Sequence, residues 1–112
     1  MFAAQHSLDN LVAIVDYNKM QALGFSKDII DLNPLSVKWS SFGWGCKEVD
    51  GHNVADLSRT LKEAPFLKGK PSIVVAHTVK GKGVSFMENS LLWNYRCPDE
   101  EEYKMAIEEL SA

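Results

Sequence analysis

Cysteine is scarce in this chain of 112 residues, which contains only Cys46 and Cys97. These two form neither a C-x-x-C pair nor a disulfide framework, so we expect free core thiols in a reducing, cytoplasmic location. No apolar run approaches the roughly 20 residues that a membrane span needs. Residues 1–10 also lack the basic start and long apolar stretch of a secretion signal. The sequence therefore indicates a protein that is neither membrane-bound nor secreted.

An excess of positive charge is also missing, because the formal net charge is −3. No basic stripe runs between the aromatic residues, which argues against a nucleic-acid partner. The common catalytic signatures are absent as well: we find no defensible Ser-His-Asp set, paired catalytic carboxylates, zinc spacing, Walker loop or G-x-G-x-x-G. Glu100–Glu102 is interpreted as the solvated first turn of a helix. What remains is one α/β domain, whose 46% hydrophobic content is enough for a core.

Three apolar segments predict strands. Leu11–Val15 is uninterrupted and predicts a strand buried on both faces, as in parallel sheets. Trp44–Val49 and Ser72–Ala76 predict the second and third strands. Residues 19–33 and 80–96 are mixed in character, so we expect both to be irregular.

Helices are predicted between these strands. Met1–His6 looks helical but has no cap residue, so it resembles the interior of a longer helix. Asn33 and Pro34 predict an N-cap and a first helical position, with Gly43 as the stop. A further helix is predicted after the Asp50–Asn53 turn, with a buried stripe of Val54, Leu57, Leu61 and Ala64. The last helix is predicted after Pro98, with an inner face of Tyr103, Ala106, Ile107 and Leu110. This alternation predicts a parallel sheet with helices on its faces.

Ligands of open α/β sheets bind beyond the carboxyl ends of the strands. One such end carries Asn18, a neutral oxygen ligand that suits magnesium, although an Asn at this position is also an ordinary turn former. The other end carries His77 and the Lys80–Gly83 loop. That loop would let backbone and lysines approach a phosphate, or it is simply a solvated basic turn. His77 has a structural interpretation as well, as a side chain satisfied by a backbone group.

Three stretches of the sequence resemble the transketolase family, in the right order and spacing and over essentially the whole chain. Leu8–Gln21 is similar to the strand that closes its thiamin diphosphate motif. Pro34–His52 resembles the segment that follows, and Ala76–Asn89 resembles a later strand and loop. The resemblance implies a thiamin diphosphate-binding fold.

The resemblance also implies transfer of a two-carbon ketol unit between sugar phosphates, with thiamin diphosphate and Mg²⁺ as cofactors. By position, the Asn18 side chain and the Met20 carbonyl would be magnesium ligands. His77 and Asn94 would belong to the cofactor pocket. The family further implies a partner, which is a pyrimidine-binding domain or subunit, in a homo- or hetero-oligomer.

The sequence departs from the family pattern at two points within the expected site. The Gly-Asp-Gly motif, whose Asp supplies the charged magnesium ligand in the family, is absent before Asn18. Residues 1–112 are therefore expected to be a partial, truncated domain that is inactive alone. The pair Trp93-Asn94 stands where the family usually has Trp-His, and Asn cannot carry an imidazolium charge. Two alternatives stay open, which are a non-catalytic assembly module and a truncated gene product that retains the fold.

Overall fold

The structure is a computed structural model that describes residues 1–111. The chain divides into two compact units: residues 1–17 with 32–78, and residues 18–31 with the described residues from Val79 onward. In chain order the elements are α1 (Phe2–Gln5), β1 (Val12–Tyr17), β2 (Met20–Gln21), β3 (Gly24–Phe25), α2 (Ser26–Ile29), α3 (Leu35–Ser41), β4 (Gly45–Asp50), α4 (Val54–Lys62), β5 (Ser72–His77), a 3₁₀ turn (Leu91–Asn94) and α5 (Glu100–Ser111). Within residues 1–111, every helix is too short or too polar to cross a bilayer.

The first unit contains a three-stranded sheet in the order β1-β5-β4, with both pairs parallel. The pairing sets Tyr17 and Asp50 level with His77, so the carboxyl ends of the strands meet at one edge. Helices pack on both faces because α1 and α3 contribute to one apolar cluster and α4 to the other. The predicted α/β fold with a parallel sheet and helices on its faces is therefore confirmed.

Burial differs sharply between the strands. In β5, Ile73, Val74 and Val75 are almost completely buried, as expected for a central strand with covered faces. In β1, Ala13 and Val15 pack against the cluster of α1 and α3, whereas Ile14 on the opposite face is 56% exposed. The prediction that β1 is buried on both faces is wrong, because β1 lies at the edge of the sheet and α4 packs near β4 and β5 instead.

Two helices of the first unit begin at or within one residue of the predicted position, but their details differ. Asn53 caps α4, since its side-chain oxygen accepts a hydrogen bond from the Asp56 amide at 3.0 Å. The predicted buried stripe of α4 is wrong at Val54, which is 75% exposed, and at Leu61, which is exposed as well, whereas Thr60 is buried. Pro34, not Asn33, is the residue that precedes the first helical residue of α3, and no side chain caps that helix.

The second unit contains the largest departures from the sequence prediction. Residues 19–33 are not all irregular, because β2 and β3 form a small antiparallel ribbon that α2 follows. The region 80–96 is irregular as predicted, apart from one 3₁₀ turn. In α5 only Ala106 of the predicted inner face is buried. Cys46 packs partly buried against the core, but Cys97 is exposed, so the core-thiol prediction is wrong for Cys97.

The contrast between β5 and β1 makes a stability prediction. Ile73→Ala removes a fully buried side chain and should lower the free energy of unfolding by about 2–5 kcal/mol. Ile14→Ala, in the neighbouring strand, should cost about 1 kcal/mol or less because Ile14 is largely exposed. Urea denaturation of both variants measures the difference. Equal losses would contradict the assignment of β5 as the core strand.

Candidate functional site

A strained turn directly follows β1. The Asn18 Oδ1 atom accepts a hydrogen bond from the Met20 backbone N–H at 2.8 Å, which closes an Asx turn. Lys19 between them has a φ of 63°, a left-handed conformation that costs a non-glycine residue about 1–2 kcal/mol. The Ser26 N–H donates to the Lys19 carbonyl at 2.8 Å and holds the turn at the base of the β2–β3 ribbon. Strain of this kind at a fixed polar side chain is typical of ligand sites.

The loop after Val79 is held by its own contacts. Gly81 has a φ of 74°, and a Cβ atom there would lie 2.5 Å from the Met87 carbonyl oxygen, so only glycine fits. The Asn89 N–H donates to the Lys80 carbonyl at 3.0 Å. The Trp93 indole N–H donates to the Phe86 carbonyl at 3.0 Å. These contacts fix the segment that carries Asn94.

The outer end of this loop is anchored to α5. The Arg96 guanidinium lies 4.5 Å from the Trp93 ring centroid and also forms an ion pair with Glu102 in the first turn of α5. In addition, both the backbone N–H and the hydroxyl of Ser85 donate hydrogen bonds to the Glu109 carboxylate. These bonds hold the pKa of Glu109 below its usual range. The loop is therefore fastened at two points along one helix.

The turn and the loop enclose a cleft of about 280 Å³ within the second unit. Its lining residues are Asn18, Met20, Gln21, Ala22, Lys80, Asn94 and Tyr95. Three of the four residues predicted for the cofactor site, Asn18, Met20 and Asn94, thus lie together. The fourth, His77, belongs to the first unit.

The donor set of the cleft suits a magnesium ion with a phosphate group. The Asn18 oxygen accepts one hydrogen bond and has a second lone pair left for a cation. Lys82 lies 3.5 Å from Glu88, but among the described residues no carboxylate forms an ion pair with Lys80. The described lining offers neutral oxygens and one cation, which matches an ion that keeps phosphate among its ligands.

No cluster of three or more His, Cys, Asp or Glu residues able to hold a metal occurs among residues 1–111. The oxygen donors and the lysine of the cleft remain the arrangement with the clearest chemical use.

His77 has a different environment at the end of β5. Its Nε2 atom lies 2.7 Å from the Glu48 Oε2 atom, and its ring stands edge-on to Tyr17 with 5.6 Å between centroids. The Ser36 hydroxyl and His77 both hydrogen-bond to Glu48, and they hold the pKa of this carboxyl below its usual range. The structural interpretation of His77 expected a backbone group as the partner of its ring, and this detail is wrong, because the partner is the Glu48 carboxylate.

Sequence reasoning missed Tyr95 and Ala22, which also line the cleft. The Tyr95 hydroxyl donates a hydrogen bond to the Ala22 carbonyl across 73 residues of sequence. The only available signal was that Tyr95 adjoins the Trp93-Asn94 pair. No local pattern indicates a contact over such a separation.

Comparison with known families agrees with the fold. The family model described as Transketolase, thiamine diphosphate binding domain matches residues 1–93. The chain therefore belongs to the transketolase family, in its thiamine diphosphate-binding domain, as the resemblance in the sequence indicated.

Curated relatives extend this comparison. The chain is 43% identical over 110 residues to the 6-deoxy-6-sulfo-D-fructose transketolase subunit SqwG of Clostridium sp. (strain MSTE9), covering 98% of this chain and 40% of the relative. It is 44% identical over 108 residues to an apulose-4-phosphate transketolase subunit of Actinobacillus succinogenes, covering 96% of this chain and 39% of the relative. The chain thus spans about two fifths of the length of these relatives.

Solved structures show the same fold. A transketolase variant from Pichia stipitis superposes with a TM-score of 0.72 at 20% identity, covering 98% of this chain and 20% of the other. The transketolase of Leishmania mexicana gives a TM-score of 0.68 at 20% identity, with the same coverage.

The Glu48 environment predicts a pH dependence of stability. Because hydrogen bonds lower its pKa in the folded state, the unfolded chain binds the proton more readily. Glu48 therefore stabilises the fold above the ordinary carboxyl pKa of about 4.3, and this contribution is lost as pH falls through the lower folded pKa. Urea midpoints should fall over that acidic window in the native protein and fall less in Glu48→Gln. The exposed Glu108→Gln serves as the control, and an unchanged acid profile in Glu48→Gln would contradict the assignment.

Proposed function

We propose that this chain forms the magnesium and diphosphate side of a thiamin diphosphate site in a transketolase-type enzyme. Such an enzyme transfers a two-carbon ketol unit between sugar phosphates, and the bound cofactor supplies that carbon chemistry. The observation that carries the proposal is the cleft that is lined by Asn18, Met20, Asn94 and Lys80. Membership in the thiamine diphosphate-binding family supports the same cofactor.

Asn18 and Met20 are proposed as the magnesium ligands from this chain. The Asx turn fixes the Asn18 amide before any ion arrives, so little rotamer freedom is lost on binding. Magnesium demands near-octahedral oxygen geometry. The fixed Asn18 amide oxygen and the Met20 backbone carbonyl, two residues later, would supply two of its oxygen ligands. The left-handed backbone at Lys19 supports this assignment, because strained backbone is concentrated at ligand-binding sites.

The remaining lining residues would hold the anionic and polar parts of the cofactor. The Lys80 ammonium offers a positive charge to a diphosphate oxygen. The Asn94 amide would donate a hydrogen bond to the cofactor at the position where the family usually has an imidazole that can carry a charge. Because an amide does not titrate, cofactor binding by Asn94 would not depend on pH near 6.5. His77, which the family resemblance assigns to the cofactor pocket, is held at the end of β5 by its hydrogen bond to Glu48.

A complete enzyme needs parts beyond these residues. We propose that residues 1–112 are part of a diphosphate-side domain, and that the charged magnesium ligand comes from sequence outside them. The relatives are named as transketolase subunits, and their chains are about two and a half times as long. This supports an oligomer in which the partner is a pyrimidine-binding domain or subunit. Two free cysteines, Cys46 and Cys97, support a cytoplasmic location.

Replacing Asn18 tests the metal assignment. Asn18→Ala removes a proposed magnesium ligand, so the affinity for thiamin diphosphate in the presence of Mg²⁺ should fall at least about tenfold. Isothermal titration of the full-length protein measures this. The control is the exposed Asn10→Ala, which should bind like the native protein. Native affinity in Asn18→Ala would leave Asn18 as a turn former only.

Replacing Lys80 tests the diphosphate assignment. Lys80→Met keeps the aliphatic stem and removes the charge, so binding of thiamin diphosphate should weaken about tenfold and lose part of its salt dependence. Titrations at low and high ionic strength measure both effects. Lys68→Met, at an exposed lysine of the other unit, is the matched control. If Lys80→Met kept the full salt dependence of the native protein, the diphosphate would bind away from Lys80.

A further inference from the structure

A tyrosine outside the predicted site joins the two walls of the cleft. One wall is the turn and ribbon from Asn18 to Phe25, and the other is the loop that ends at Tyr95. The Tyr95 hydroxyl donates a hydrogen bond to the Ala22 carbonyl at the far end of the ribbon. Both residues line the cleft, one in each wall, so this bond links the two walls.

The ribbon has little else to hold its far end. It contains only two paired positions on each strand, and an isolated two-stranded hairpin is marginally stable in water. Leu23, at the tip, is 75% exposed and contributes little burial. The near end is better anchored, because Ser26 is buried and its N–H donates to the Lys19 carbonyl.

The opposite wall is firm enough to serve as an anchor. The indole N–H of Trp93 bonds to the Phe86 carbonyl, and the Arg96 guanidinium stacks on the Trp93 ring and pairs with Glu102. Tyr95 lies between these two fixed residues. Its hydroxyl therefore offers the ribbon a firmly held attachment point.

We propose that Tyr95 is a positioning residue that sets the width of the cleft by latching Ala22 to the loop carrying Asn94. The latch holds Met20, two residues before Ala22, at a fixed distance from Asn94. It acts on the proposed magnesium ligands without touching the ion. The proposal rests on the proposed function for its consequence in binding, but the latch itself is a property of the ribbon.

Hydrogen exchange tests the latch without any ligand. Tyr95→Phe keeps the ring and removes only the hydroxyl, so the fold should be retained. The hydrogen-bonded amides of Met20 and Ser26 should exchange about two- to tenfold faster, the factor that one hydrogen bond is worth. Tyr103→Phe, at a similarly exposed tyrosine on α5, should leave both amides unchanged. Unchanged exchange in Tyr95→Phe would overturn the latch.

Binding tests what the latch does for the site. In the full-length protein, Tyr95→Phe should raise the Kd for thiamin diphosphate with Mg²⁺ about two- to tenfold at an unchanged melting temperature. In the assembled enzyme, the apparent KM for the cofactor should rise by the same factor while kcat at saturating cofactor changes far less. A loss in kcat that saturating cofactor does not relieve would overturn the positioning role.

The two experiments separate this inference from the proposed function. Faster exchange with a native Kd would keep the latch and overturn its role in positioning the ligands. If the native protein binds no thiamin diphosphate with Mg²⁺, the proposed function and the positioning role both fail, and the exchange rates still decide whether Tyr95 holds the ribbon.

Discussion

The parallel pairing of β5 with both β1 and β4 is the constraint on which the first unit depends. Because β5 is buried along its length, its register fixes which residues of its neighbours end level with His77. A slip of one residue would turn Ile73 away from one apolar cluster and Val74 away from the other. The strand ends are therefore set by packing, and Asn18 is the next residue after the end of β1.

From Asn18 onward, local hydrogen bonds take over from packing. The amide of Asn18 serves the turn through one lone pair, so the turn-forming and ligand interpretations of this residue are compatible. The left-handed Lys19 is tolerated because bonds on both sides of it determine the backbone. The walls of the cleft are thus held by short-range hydrogen bonds and a few long-range ones, and not by a deep apolar pocket.

The sequence was sufficient for the elements that have a strong periodic or apolar signal. The three strands, the helix after the Asp50–Asn53 turn and the helix after Pro98 all follow from such patterns. The exposed face of β1 did not follow, because a run of apolar residues looks the same in an edge strand and in a central strand. The exposure of Val54 was missed because helical spacing alone does not say which positions of an apolar stripe the sheet covers.

The candidate site was predictable only where the family resemblance reached. Asn18, Met20 and Asn94 were named from it, and the three residues line one cleft. The β2–β3 ribbon is too short for any periodicity to reveal. The bond from Tyr95 to Ala22 depends on how segments 73 residues apart come together, which no single-sequence pattern encodes.

The central claim is that Asn18 binds a magnesium ion that carries a diphosphate. A crystal structure of the full-length protein grown with Mg²⁺ and thiamin diphosphate tests it most directly. The account predicts an ion about 2.0–2.1 Å from the Asn18 Oδ1 atom, with diphosphate oxygens completing its coordination. An ion and diphosphate bound away from Asn18, or an Asn18 amide that hydrogen-bonds only to Met20 in the loaded protein, would contradict it.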